Sequence, residues 1–360
     1  MSDLTARARF ATPLHARTAE LCTTNLWAEE CGFTVPALYT SAREEHEALA
    51  TRVTLADLSA RQCWLIEGAD AAAYASVLTT SDAERIAPGE TARTLWCDDA
   101  GYVRGEGLLA RFAATTFELS TAVRDFAWVL DGARSFDVKL VNATGSRAVI
   151  GVRGPRAADL LAAAGLLGGD GAGAGKVVRP AWRPAQVSLV RDGEALELWM
   201  QADDGAVVWD RLWRAGATLG VAAIGADTLE TARIENAAPR AGIDWRPAQL
   251  ARDASDLRVP ADLGFALDLS RRFNGAEALR RLKAPRTRTL VQLTANTAMT
   301  PGPVMLRGTT VGAIMSTAWS DARAASVALA WADRDAARPG TKLTAGTTNA
   351  EVTRDVFGFA

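Results

Sequence analysis

The sequence predicts an α+β chain of several compact units that ends in a small β-barrel. Three observations support this. The 360 residues, 49% hydrophobic and 23% charged, are enough for more than one core. Residues 50–145 alternate between helical and strand-like runs, the pattern of a compact α+β unit. From Leu290 onward the chain breaks into short β-runs punctuated by glycine and proline, the spacing of a barrel.

The elements follow in order. Residues 41–50 read as a helix, with Glu44, Glu45 and His46 among apolar Ala42, Leu49 and Ala50. A strand is expected at 63–66, a helix at 70–78 after the Gly68 turn, and a strand at 94–97 that runs into a tight turn at 98–101. That turn predicts a hairpin. Strands are expected at 108–112, 116–120 and 138–142, with a helix at 123–130. The apolar run 148–152 leads into Gly154 and Pro155, which sits where a helix start tolerates a missing donor, so a helix is expected over 156–164. Six glycines then fall within 165–175. A phosphate-binding loop there would need glycine in place of Asp170 and Ser or Thr in place of Val177, so the stretch reads as a linker. Strands at 187–190 and 196–200 flank a turn at Asp192 and Gly193, and a helix over 206–215 carries Trp209 and Trp213. The barrel strands are expected around 290, 304–306, 311–315 and 327–331.

Charge and composition exclude several functions. Forty basic residues balance 42 acidic ones for a net charge of −2, with no long run of either sign, so no nucleic-acid or anionic-membrane surface is indicated. No apolar stretch reaches the ~20 residues of a membrane span, and the start of the chain lacks an apolar signal core, so a cytoplasmic location is expected. Cys22, Cys31, Cys63 and Cys97 are spread singly, which fits neither a disulfide framework nor a zinc site. With only His15 and His46 available, no histidine-rich metal centre or Ser/His/Asp arrangement is expected.

The strongest local pattern is A-R-I-E-N-A-A-P-R-A-G-I-D at 232–244, where a helix end is followed at once by arginines and acids around a Pro/Gly turn. This resembles the R-[IL]-E-x-G-x-P-x-x-G-x-D segment of the folate-dependent aminomethyltransferases, the T-protein of glycine cleavage and its demethylase relatives. Arg233, Glu235, Pro239, Gly242 and Asp244 fall on that segment, with Ala237 or Ala238 in place of a glycine. Further matches occur in family order: L-A-D-L-S at 55–59, G-A-D at 68–70 followed by L-T-T-S-D at 78–82, I-G-V-R-G-P-R-A at 150–157, R-F-N-G at 272–275, and the hairpin at 308–316.

The resemblance implies a three-domain aminomethyltransferase-like fold around a central channel. Its domains would be 1–50 with 146–245, then 51–145, then a connecting segment 246–289, and a barrel at 290–360. It also implies tetrahydrofolate as the carbon acceptor and a small-molecule substrate, with a carrier protein for the substrate left open. A pterin edge offers paired donors to a carboxylate and its glutamate tail calls for cations. Glu194, Glu197, Arg233, Arg240 and Trp245 are therefore the cofactor-binding candidates, and Trp64 and Trp96 are further stacking candidates.

The main departure is at the hairpin. Family transferases present G-G-x-x-D-D, whereas this chain reads G-Y-V-R-G-E-G at 101–107, with Arg104 and Gly105 at the aspartate positions. A cation reverses the sign of the electrostatic role of an acid beside a developing cation. Tyr102, Arg104 and Glu106 are the catalytic candidates, with Glu106 restoring the acid if a bulge at Gly105 brings it to the right face. Arg104 instead points to an anionic or aromatic substrate, as for an O- or S-demethylase. The first expectation is a tetrahydrofolate-dependent methyl or one-carbon transferase. The alternatives are a folate-independent reaction on the same fold or a non-catalytic folate-binding protein. Iron–sulfur repair relatives are disfavoured because 270–277 lacks their cysteine.

Overall fold

The computed structural model describes residues 10–166, 173–183, 185–193, 195–282 and 287–358. The fold is mixed α and β and closes in a barrel, as expected. It divides into two compact units, one made of the chain up to Thr94 with Glu106–Thr228, the other of Leu95–Gly105 with the chain from Leu229 onward. No helix among the described residues is long and apolar enough to cross a membrane.

In the first unit, a six-stranded sheet runs in the order Val177–Val178, Val187–Asp192, Ala195–Gln201, Arg147–Arg153, Thr54–Asp57, Ala222–Ala223. Helices Ala157–Ala163 and Ala202–Ala215 cover one face of it. Leu160, Leu161, Val208, Trp209 and Leu212 pack there against Ile150, Leu198 and Met200. A second sheet orders Glu90–Cys97, Val103–Ala113, Thr116–Thr121, Gln62–Glu67 and Lys139–Asn142, with 95–97 and 103–105 belonging to the second unit. A short three-stranded sheet of Phe10–Ala11, Phe33–Leu38 and Leu26–Glu30 completes the described strands.

The helix expected at 41–50 spans Ala42–Thr51, opened by a capping box in which Ser41 Oγ accepts from Glu44 N and Glu44 Oε2 accepts from Ser41 N. The helix expected at 123–130 instead spans Phe126–Gly132. Val123 N donates to Thr121 Oγ1 at 2.9 Å, which holds a turn where the helix would have started. The helix expected from 206 begins at Ala202, with Asp203 and Asp204 in its first turn, where carboxylates favour a helix start. The expected loop at 165–175 falls partly outside the described residues.

In the second unit the barrel closes in the order Arg288–Ala295, Ala325–Asp333, Thr309–Ser320, Gly302–Leu306, Lys342–Ala345, Thr348–Asp355, the last pairing back to the first. Its interior holds Val291, Leu293, Val304, Ala328, Ala330, Leu343 and Val352.

One buried carboxylate ties the first unit together. Glu45 is 1% exposed. Its Oε1 accepts from Tyr39 N at 2.6 Å and Thr40 N at 3.2 Å, and its Oε2 accepts from Gly225 N and Thr228 Oγ1, each at 2.7 Å. Gly225 lies so close to the Ala37 carbonyl that a Cβ would stand 2.2 Å from its oxygen, so no larger residue could bring this amide to Glu45. Replacing Glu45 by alanine leaves three buried donors and the Thr40 amide unmatched. Glu45→Ala is expected to cost on the order of 4 kcal/mol, read as a lowered midpoint in urea unfolding.

Candidate active site

The motif at 232–244 folds around Asp244, which is 0% exposed. Its Oδ2 accepts from Arg233 Nη1 at 2.6 Å and from Arg240 N at 2.8 Å, and its Oδ1 accepts from Ser316 Oγ at 2.5 Å. Trp331 Nε1 donates to the Asp244 carbonyl at 2.6 Å. Burial pushes the Asp244 carboxyl above its ordinary value, and the Arg233 guanidinium and the Ser316 hydroxyl oppose that push. Arg233 also donates to Ala238 O at 2.6 Å and forks onto Glu230, with Nε–Oε2 at 2.9 Å and Nη2–Oε1 at 2.5 Å. Burial lowers the Arg233 pKa, but Glu230 and Asp244 more than compensate, so it is raised on balance. Arg240 reaches the same Glu230, Nη1–Oε2 3.5 Å. Ala237 stands at φ +53°, a left-handed conformation that costs a non-glycine residue roughly 1–2 kcal/mol.

Arg233 and Arg240 are thus brought together, with guanidinium donors spent on holding the turn. Trp245, next along, is 2% exposed in a core with Leu95, Val103 and Trp331, and its Nε1 has no hydrogen-bond partner among the described residues. Trp64 and Trp96 are likewise buried.

The hairpin tip also lies in the second unit as far as Gly105. Asp98 builds the turn, its Oδ1 accepting from Ala100 N at 3.0 Å and Tyr102 N at 2.9 Å, with Gly101 at φ +85°. Val103 N donates to Arg258 O at 2.7 Å and Gln249 Nε2 donates to Arg104 O at 3.0 Å, which pins the backbone at the catalytic candidates. A Cβ on Gly105 would stand 2.1 Å from Trp96 Cζ2, so this position must be glycine. Strand alternation turns Arg104 and Glu106 away from that ring, onto the same face of Val103–Ala113. Tyr102, Arg104 and Glu106 are all partly exposed. Arg258 stacks on Trp331 at 4.4 Å and donates through Nη1 to Ser255 O and Leu257 O. Burial lowers its pKa, with Asp262 and Asp256 opposing.

Glu197 belongs to the first unit, on strand Ala195–Gln201. Leu198 and Met200 of that strand enter the core, so Glu197 and Trp199 occupy the other face. Glu197 is 3% exposed; its Oε1 accepts from Arg61 Nη1 at 2.8 Å and its Oε2 from Trp199 Nε1 at 2.9 Å. Burial pushes this carboxyl up, yet Arg61, Arg153 and the Trp199 and Arg61 hydrogen bonds outweigh it, and the net shift is downward. Each oxygen keeps a further acceptor position. Arg61 and Arg153 were not singled out as site residues by the sequence. Arg153 lies inside the quoted Gly-Pro motif, and its Nε is buried without a hydrogen-bond partner among the described residues. Glu194 lies outside the described residues.

The GCVT N-terminal domain family matches residues 14–255. The chain is 31% identical over 273 residues to an aminomethyltransferase of Geobacillus kaustophilus, covering 70% of each chain. It is 30% identical over 344 residues to one of Mycobacterium avium, covering 92% of this chain and 91% of that one. The glycine cleavage system aminomethyltransferase T from Bartonella henselae superposes with a TM-score of 0.84 at 20% identity, over 97% of this chain and 98% of its own, which establishes the shared fold. The chain belongs to the GCVT family. It is an enzyme of the one-carbon transferase kind.

The Glu197 environment predicts a pH dependence. A carboxyl whose folded pKa is depressed stabilises the fold above its unfolded value, about 4.3, and loses that contribution as pH falls through the lower folded value. The stability gap between wild type and Glu197→Gln is expected to shrink as urea titrations move from neutral pH into this acid range. A gap constant with pH would contradict an ionised Glu197.

Proposed function

We propose that the protein is a tetrahydrofolate-dependent one-carbon transferase that takes a methyl or aminomethyl carbon from a small anionic or aromatic substrate in the cytoplasm. Family membership supports the class, and the observation that carries the cofactor reading is Glu197. A buried carboxylate, kept ionised by Arg61 and Arg153 and retaining acceptor capacity, suits the paired donors of a pterin pyrimidine edge. Tetrahydrofolate, when bound, supplies N5 as the carbon acceptor. Arg61 holds the Glu197 oxygen it contacts in the accepting state, and Trp199 fixes the other. Arg233 and Arg240 act through Asp244 by setting the turn that carries Trp245.

Arg104 gives the substrate class. It stands where relatives of the resemblance carry an acid, and Gln249 holds its backbone through the carbonyl. A cation there stabilises a carboxylate or phenolate on the substrate and the negative charge left on a departing oxygen or sulfur. The same residue favours a second reading, a folate-independent reaction on this scaffold, because it removes the acid expected beside N5.

Calorimetric titration with tetrahydrofolate separates the two. The first reading predicts saturable binding that Glu197→Gln and Arg61→Ala each weaken by about tenfold or more, the worth of a charge-assisted hydrogen bond. A folded protein that takes up no tetrahydrofolate would leave the second reading.

A further inference from the structure

The first unit contains a cleft of about 960 Å³ whose wall includes Trp199, the indole that also donates to Glu197. Its size falls in the upper range of small-molecule pockets, roughly 300–1,000 Å³. The floor is charged but balanced. Glu118, 3% exposed, accepts from Arg147 Nη2 at 3.1 Å and from Cys63 Sγ at 3.0 Å. Burial pushes the Glu118 carboxyl up while Arg147 and the Cys63 hydrogen bond oppose it. Burying such a pair is costly, and hydrophobic residues of like volume would often serve stability as well or better. A polar floor of this kind gains its value from what lies on it.

The walls are aromatic. Phe112 and Trp199 meet at 6.4 Å between ring centroids, tilted by 53°, and Trp182 lines the opposite segment. The exposed Arg179 guanidinium lies 4.9 Å over the Phe112 ring and, among the described residues, makes no close ion pair, although its charge acts on Glu118. Its flat fork is thereby oriented by an aromatic face while its N–H donors stay uncommitted, the arrangement that reads a carboxylate with two parallel hydrogen bonds. Because Arg147 is neutralised by Glu118, the charge the cleft offers a ligand is set by Arg179 and its neighbour Arg183 against Glu67, a net positive balance.

We infer that this cleft is a second small-molecule site, bordering the Glu197 cluster across Trp199, that takes a flat aromatic carboxylate. The ring lies among Phe112, Trp182 and Trp199, and the carboxylate meets Arg179.

Calorimetry and ligand-observed NMR on the full chain with indole-3-carboxylate and 4-hydroxybenzoate test this, with indole-3-carboxamide as the uncharged counterpart. One site per chain is expected for at least one of the carboxylates. Indole-3-carboxylate should exceed its amide by about tenfold, a preference that Arg179→Gln abolishes. Trp182→Ala should weaken acid and amide alike, and saturating tetrahydrofolate should leave carboxylate binding unchanged. Both substitutions fall on partly or fully exposed side chains, so circular dichroism should show a native fold for each. The inference is overturned if neither carboxylate binds saturably, if the amide binds as well as the acid, if Arg179→Gln keeps the preference, or if tetrahydrofolate displaces the ligand. The last result would assign the ligand to the cofactor site. Loss of tetrahydrofolate binding with carboxylate binding intact would count against the proposed function alone.

Discussion

The second unit depends on the burial of Asp244. A carboxylate with no solvent contact is tolerated only when its lone pairs are filled, and here a guanidinium, a backbone amide and a hydroxyl fill them. Through Arg233 it holds the end of helix Ala226–Glu235, through the Arg240 amide it closes the Pro/Gly turn, and through Ser316 and Trp331 it reaches two strands of the barrel. One side chain and its own carbonyl thus tie the local segment 233–244 to two barrel strands, 72 and 87 positions away. The turn in turn sets where Trp245 and the following segment to Arg258 run.

The same solution recurs in the first unit with a different purpose. Glu45 is satisfied almost wholly by backbone amides and has no basic partner among its contacts, a structural joint. Glu197 is held by Arg61 and an indole N–H, with Arg153 near enough to depress its pKa. The contrast is chemical: amides fix Glu45 in place, while guanidinium cations keep Glu197 ionised and leave room for another donor. At the hairpin, backbone hydrogen bonds hold the chain at Arg104 and Arg258.

Much of this was legible in the sequence because local chemistry decided it. The capping residue Ser41, the turn at Asp98 and Gly101, and the Gly/Pro spacing of the barrel each specify their own conformation. The site was legible only where a contiguous motif carried it, as for Arg233, Arg240 and Asp244. Arg61 meets Glu197 across 136 positions of sequence, and only the pairing of Arg147–Arg153 with both Thr54–Asp57 and Ala195–Gln201 brings the flanking chain into reach. Strands Lys342–Ala345 and Thr348–Asp355 escaped notice because threonine, lysine and glutamate on their outer faces dilute the apolar alternation, although Gly346 at φ +59° marks the turn between them. The helix starts moved because a side-chain hydrogen bond at Thr121 and acids at Asp203 and Asp204 outweighed the apolar periodicity.

The most direct measurement is carbon transfer itself. The protein would be incubated with tetrahydrofolate and substrates carrying a ¹³C-labelled methyl group on oxygen, sulfur or nitrogen beside a carboxylate or phenolate, and the label followed by NMR. The account predicts label arriving at N5, slowed about a hundredfold in Arg104→Ala, the scale on which a preorganised charge contributes to a transition state. Folate that binds but never acquires label, or transfer that proceeds unchanged in Arg104→Ala, would contradict it.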